Sequence, residues 1–221
     1  MLVVDNLRIK KSLDLDSNIY FWLENNEVII IDCGLYPNIE KMLKNISVKY
    51  IFLTHEHYDH ISGVNYFKEC FPDVKVVCSK ICAEALENPN KNLSRHFDAF
   101  CSLQTWIPMK TPIKPVNYSC KADYTFEKYG KIVWQNHIIE MFFTPGHSPG
   151  SSMYLIDKKI LFSGDSIFKE YPTFTKLYRN GSKEFNDISL PIIKSFDCDA
   201  VVYPGHLSKF KLKEAFVFGG V

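Results

Sequence analysis

Short runs of apolar, often β-branched residues recur along the chain, and each stops at a polar or glycine-bearing turn. Ile19 to Leu23 and Val28 to Ile31 are two such runs, joined by Glu24-Asn25-Asn26-Glu27. They read as a hairpin whose second strand is buried on both faces and ends at Asp32-Cys33-Gly34. Pro37 to Asn45 has helical spacing, with Ile39, Met42, Leu43 and Ile46 on one side. Tyr50 to Leu53 is the next predicted strand. Ile61 to Phe71 reads as a helix, with Ile61, Val64, Phe67 and Phe71 in register and Pro72-Asp73 as its break. Val74 to Cys78 then predicts a strand, and Ser79 to Leu86 a helix with Ser79 as its cap. Strands alternating with helices define an α/β protein.

The stretch from Asn88 to Lys121 is less regular. Pro89, Pro108, Pro112 and Pro115 punctuate it, with Phe97, Phe100, Trp106 and Ile107 between them, and Leu93 to Phe100 has some helical character. Such a connection serves as a wall or lid over a site, or packs on the outside of a core. From Tyr124 strands return: Lys131 to Trp134, Ile138 to Phe143, Ser152 to Ile156, Lys159 to Ser163 and Ala200 to Tyr203. Ser182 to Ser195 predicts a helix disturbed by Pro191, and the apolar tail Phe216 to Val221 would cover a core edge or a partner. No repeat or Ser/Gly-rich linker divides the sequence, which points to a single domain over residues 1–221. Each half runs from strands to helices, as two sheets packed face to face require.

With 221 residues the chain can bury a sizeable core. A formal net charge of +1 argues against a broad nucleic-acid or anionic-lipid surface, so a small-molecule substrate is expected and no nucleic acid. No run is apolar enough to span a bilayer, and Met1 to Asn6 lacks the features of a signal peptide, so a cytoplasmic location is expected. The seven cysteines are odd in number and scattered, a pattern of reduced, buried thiols.

The chemistry sits where strands stop. Asp32, the cluster Thr54-His55-Glu56-His57-Tyr58-Asp59-His60, His147, Asp165 and His206 each follow a short apolar run. Of the histidines, His96 and His137 alone lie elsewhere and read as ordinary side chains. Strand ends on one sheet edge lie close together and hold ligands rigidly. The glycines at 146, 164 and 205 permit tight turns beside them. Imidazole and carboxylate donors suit Zn²⁺, and also Fe or Mn. His55, His57, Asp59, His60, His147, Asp165 and His206 are too many for one four-coordinate ion, but divide over two divalent ions ~3.5–4 Å apart. Glu56 is expected to point between the ligands and to be solvated or salt-bridged.

His55-Glu56-His57-Tyr58-Asp59-His60 matches the H-x-H-x-D-H signature of the metallo-β-lactamase-fold hydrolases. Ile31-Asp32-Cys33-Gly34, Thr144 to Ser151, Ser163-Gly164-Asp165-Ser166 and Tyr203-Pro204-Gly205-His206 resemble that superfamily's other motifs, in order. The resemblance implies an α/β fold of four layers, two mixed β-sheets flanked by helices, with the site along one edge. It implies that His55, His57 and His147 hold one metal, that Asp59, His60 and His206 hold a second, and that Asp165 bridges. Asp32 would stand behind these ligands and orient them by hydrogen bonding.

The loop Thr144-Pro145-Gly146-His147-Ser148-Pro149-Gly150-Ser151 is most similar to the glyoxalase II branch, whose members hydrolyse thioesters. Asn90 to Ser94 also resembles small glyoxalase II-like proteins. The chain stops soon after His206, where a C-terminal helical domain would follow in full-length glyoxalase II. Leu177 to Ser182 stands where that family has Gly-Arg-x-Asp. The implied reaction is attack by hydroxide, formed at neutral pH between the metals, on a thioester or related acyl carbonyl. Asp59 would be the catalytic carboxylate that orients the nucleophile and passes a proton to the leaving group. Lys169, Tyr171 and Arg179 are candidate substrate contacts, each also readable as a surface or packing residue. Phosphodiesterase or nuclease, lactonase and iron-dependent sulfur dioxygenase chemistry use related ligand sets, and a metal-stabilised accessory protein is the non-enzymatic reading.

Overall fold

Neighbouring side chains in the strands β2 (Asn18–Glu24) and β3 (Glu27–Ile31) feed different cores. Ile19, Phe21, Val28 and Ile30 join one cluster, and Tyr20, Trp22, Ile29 and Ile31 join another. A strand whose side chains alternate between faces does this when both faces of its sheet are covered. The computed structural model describes residues 6–102 and 115–218.

The first sheet has the order β1 (Leu7–Lys11), β2, β3, β4 (Ser47–Phe52), β5 (Lys75–Ser79), β6 (Tyr124–Phe126). Its first three strands are antiparallel, and β3 to β6 run parallel. The second sheet has the order β12 (Phe210–Lys211), β11 (Val201–Pro204), β10 (Ile160–Gly164), β9 (Ser152–Ile156), β8 (His137–Phe143), β7 (Tyr129–Trp134). Here β10 and β11 are the parallel pair. Tyr20, Trp22, Ile31, Phe52 and Val77 of the first sheet meet Ile139, Met141, Tyr154, Phe162 and Tyr203 of the second in the central core.

Helices cover both outer faces. Ile39, Leu43, Ile61, Val64, Phe67 and Leu86 lie on the first sheet, from α1 (Ile39–Met42), α2 (Tyr58–Ile61), α3 (Val64–Cys70), α4 (Lys80–Leu86) and their flanks. Phe97 of α5 (Phe97–Ser102) packs with Leu15 and Cys101 in a satellite cluster. Phe185 and Ile193, from the segment holding α6 (Gly181–Glu184) and α7 (Leu190–Lys194), pack on the second sheet, joined by Leu212 and Val217. The layers are helix, sheet, sheet, helix, as the sequence resemblance implied. Among the described residues no helix is long and apolar enough to cross a membrane.

Several elements differ from the expectations. The helix over 61–71 is two pieces, because Gly63 sits against Gly34, where a Cβ would lie 2.6 Å from Gly34 O. The helix at 37–45 shortens to Ile39–Met42, between Asn38 (φ 59°) and Asn45 (φ 66°), both left-handed. Ahead of Pro191, Phe185–Ser189 widens into a π-helical turn. Pro191 has no N–H to continue an α-helical ladder, which accounts for a disturbance at that point. Edge strands β1 and β12 were not anticipated. Ser79 caps α4 as expected, its Oγ accepting from Cys82 N at 3.1 Å. All seven cysteines are unpaired thiols, five of them buried. Trp106, Ile107 and the rest of the lid reading at 103–114 fall outside the described residues.

Candidate metal centre

Strand direction explains how residues so distant in sequence converge. β3 and β4 are parallel, so Asp32 and the His55 cluster leave from the same edge. β10 and β11 are likewise parallel, and β8 matches their direction because β9 is antiparallel to both of its neighbours. His147, Asp165 and His206 therefore emerge together. Gly164 makes its turn at φ 51°, and a Cβ there would strike Thr54 Oγ1 at 2.5 Å. Gly205 is needed for space: a Cβ would lie 2.1 Å from Asp165 Oδ1 and 2.7 Å from His60 Cε1.

All seven side chains singled out in the sequence are buried and meet at this edge. Three groupings have ligand atoms within 4.8 Å of one another: His55, His57 and His147; His55, His60 and Asp165; Asp59, His60 and His206. His147 Nε2 is 3.0 Å from His57 Nδ1. On the other side, His60 Nε2 lies 3.3 Å from His206 Nε2 and 3.3 Å from Asp59 Oδ2, and His206 Nε2 lies 3.2 Å from Asp59 Oδ2. Asp165 Oδ2 stands between the two sides, 3.6 Å from His147 Nε2 and 3.5 Å from His206 Nε2.

A layer of hydrogen bonds aims these rings. Asp32, at φ 58°, accepts from Thr54 N at 2.8 Å, from Thr54 Oγ1 at 2.8 Å and from His60 Nδ1 at 2.9 Å. Thr54 Oγ1, having donated its proton to Asp32, accepts from His55 Nδ1 at 3.0 Å. His147 Nδ1 donates to Phe174 O at 3.2 Å. Each such bond places a proton on Nδ1 and turns Nε2 toward the centre. Thr54 is a functional residue the sequence reading did not separate from its neighbours. Farther out, Ser17 Oγ donates to Asp59 O at 2.7 Å, and Asn18 Nδ2 and Tyr20 Oη donate to Pro204 O at 2.8 and 2.5 Å.

The donor set fits a cation. His55 Nε2 and Asp165 Oδ1 are buried with no hydrogen-bond partner among the described residues. Buried polar atoms left without partners are costly, and an ion that uses their lone pairs removes the cost. Burial, with His60 and His57 close by, pushes the His55 imidazole well below its ordinary range. Burial and His147 do the same to His57. These rings are neutral, as metal ligands must be. His60 goes the other way: burial opposes its charge, but Asp59, Asp165 and Asp32 outweigh burial and push it well up. Burial likewise opposes ionisation of Asp59 and Asp165, yet the neighbouring imidazoles hold both carboxyls below the usual range. Together these residues form a His/Asp metal-binding site of the kind found in dinuclear metallo-hydrolases.

One expectation is corrected here. Glu56 is neither solvated nor salt-bridged. It is 1% exposed, and its carboxylate accepts from Ser148 Oγ at 2.9 Å and Gly150 N at 3.2 Å. Burial pushes its carboxyl up to about 7. Lys169, Tyr171 and Arg179 do not line the cleft beside the centre, and Lys169 pairs with Glu214 at 2.9 Å. That cleft, about 370 Å³, opens on His57 and His147 and is walled by Ile81, Lys91, Leu93 and Tyr178. Part of this lining was marked in the sequence, in the two histidine motifs and in the connection from Asn88 to Lys121 read as a wall, whereas Ile81 and Ala85 of α4 carried no such mark. His96 is exposed, and His137 bridges Glu24 and Asp157 far from the centre, both as expected.

The model of the metallo-β-lactamase superfamily matches residues 13–206. A hydroxyacylglutathione hydrolase of Prochlorococcus marinus (strain NATL1A) is 37% identical over 67 residues, a stretch covering 29% of this chain and 27% of that protein. The probable metallo-hydrolase YqgX of Bacillus subtilis (strain 168) is 28% identical over 159 residues, 70% of this chain and 68% of that one. Among solved structures, the BLEG-1 B3 metallo-β-lactamase superposes with a TM-score of 0.76 at 24% identity, over 94% of this chain and 95% of that one. At that identity the likeness is one of fold.

Proposed function

The chain belongs to the metallo-β-lactamase superfamily, and we propose that it is a metallo-hydrolase that uses two metal ions to cleave thioesters or closely related acyl compounds. The observation that carries the two-ion reading is the position of Asp165. One carboxylate oxygen faces both His147 and His206, so it stands at the boundary of two ligand groups. His55, His57 and His147 would hold one ion, Asp59, His60 and His206 the other, with Asp165 shared. Imidazole and carboxylate donors favour zinc, and also accept iron or manganese. When bound, such ions lower the pKa of water and polarise a carbonyl oxygen.

The remaining work falls to the chain. Asp59, held ionised among imidazoles, can accept a hydrogen bond from the attacking water and orient it. A thiolate leaving group needs little help from an acid, so cleavage of a thioester places the smallest demand on the site's proton donors. The cleft supplies apolar wall from Ile81, Leu93 and Leu177 beside His57 and His147, which would seat a small acyl substrate. The similarity to hydroxyacylglutathione hydrolases supports the thioester reading.

The test is turnover of a short-chain thioester, a lactone and a phosphodiester by protein loaded with Zn²⁺, Mn²⁺ or Fe²⁺. Thioester cleavage at the highest kcat/KM is expected. Preference for the phosphodiester, or no turnover of any substrate with two ions bound, would overturn the proposal.

A further inference from the structure

Glu56 is a carboxylate buried between two histidines that face the metal centre, with no cationic partner among the described residues. Burial of an ionisable side chain is unfavourable, so a residue of this kind needs a compensating role. Its hydrogen bonds show what that role is. Glu56 lies on the loop that carries His55 and His57, while both of its donors, Ser148 and Gly150, lie on the loop that carries His147. At the base of these loops Ser152 N donates to Thr54 O at 2.7 Å. Beyond that point the Glu56 carboxylate spans the gap, gripping the His147 loop by one side chain and one backbone N–H.

The grip is close-fitting. A Cβ on Gly150 would lie 2.5 Å from Glu56 Oε2 and 2.6 Å from Cys82 Cα. The opposite side of the same residue is fixed by Ser79, the cap of α4, whose Oγ donates to Gly150 O at 2.7 Å. The His147 loop is thus clamped between Glu56 and the start of α4. The other ligand group is held by different residues: Asp32 on His60, Ser17 on the Asp59 carbonyl, and Asn18 on the carbonyl before Gly205.

We infer that Glu56 is a positioning residue that straps the His147 loop to the His55–His57 loop and so sets the 3.0 Å approach of His57 Nδ1 and His147 Nε2. It acts on the His55, His57 and His147 group and leaves the Asp59, His60 and His206 group alone. This assignment rests on the two-ion reading above, and one experiment separates their failures.

Metal-free protein is titrated with Zn²⁺ by calorimetry, and His147→Ala identifies which binding event belongs to the strapped group. Glu56→Ala is expected to weaken that event about 10- to 100-fold, the usual consequence of losing a residue that orients ligands. The other event stays within about threefold of wild type. Glu56→Gln keeps an oxygen for Gly150 N and an amide for Ser148 Oγ, and is expected to restore the affinity. Unchanged binding in Glu56→Ala, equal weakening of both events, or failure of Glu56→Gln to rescue would overturn the strap. If Glu56→Ala does not fold, Ser148→Ala removes one of the two bonds and must weaken the same event; no change there has the same force. A wild-type protein that binds one ion would instead overturn the two-ion reading. The strap would then stand or fall on whether Glu56→Ala weakens that single ion.

Discussion

Asp32 Oδ2 and His60 Nδ1 are 2.9 Å apart, with both side chains essentially excluded from solvent. The contact ties a residue at the end of β3 to a ring that faces Asp59 and His206 on its other nitrogen. The same carboxylate holds the Thr54 hydroxyl, which in turn holds His55. One aspartate therefore orients two neighbouring imidazoles, His60 directly and His55 through Thr54, whose ring centroids are 4.2 Å apart. Asn tolerates the left-handed backbone at this position, so Asp32→Asn changes the chemistry with little strain. The variant is expected to lose about 10- to 100-fold in metal affinity, measured by competition with a chromophoric chelator. Wild-type affinity would contradict the role given to Asp32.

Asp165→Ala removes the carboxylate shared by the two groups, and His57→Ala removes a ligand from one of them. In each, metal content and activity should fall together. The loss of rate is expected to reach roughly a thousandfold or more, because metal activation of water contributes several kcal/mol. Elemental analysis beside steady-state kinetics checks this, and wild-type stoichiometry in either variant would refute the ligand assignment.

Gly205→Ala tests crowding at the centre without replacing a ligand. The new methyl would fall 2.1 Å from Asp165 Oδ1, and the backbone on either side is pinned, by Gly164 O at 2.8 Å and by Asn18 N at 2.7 Å. Something must move, and overpacking of this kind costs about 1–3 kcal/mol. A lower Tm of the metal-free protein, together with weaker metal binding, is the expected result. A variant equal to wild type in both would show that the turn has room.

Much of this centre was legible because it is built at strand ends. Runs such as Val28 to Ile31 and Ala200 to Tyr203 announce themselves by composition, and their terminal residues are fixed to within a position or so. The helices were less legible because their limits depend on contacts from elsewhere. Gly63 interrupts a good helical pattern because Gly34 packs on it, whereas Pro191 marked a disturbance in its helix without giving its form, a π-turn over Phe185–Ser189. Glu56 was misjudged for the same reason. Its partner Ser148 is 92 positions away, and a charged residue looks solvent-facing until the loop that covers it is in place.

His137 offers a pH test far from the metal centre. Its Nδ1 lies 2.6 Å from Asp157 Oδ2 and its Nε2 2.6 Å from Glu24 Oε2, while the ring stacks on Trp134 at 6.0 Å between centroids. Partial burial opposes its charge, but the two carboxylates outweigh burial and raise its pKa above the ordinary 6.5. The folded state therefore binds the proton more tightly than the unfolded chain. Its stabilisation is fully present below about pH 6.5 and is lost as pH rises through the higher folded value. Because the cluster is partly solvent-exposed, the effect should be no more than about 1 kcal/mol. The Tm difference between wild type and His137→Gln should thus be largest near pH 6 and shrink toward pH 9, since other titrations cancel between the two proteins. A difference that stays flat, or grows with pH, would show that His137 is held by packing against Trp22 and Trp134 and not by its charge.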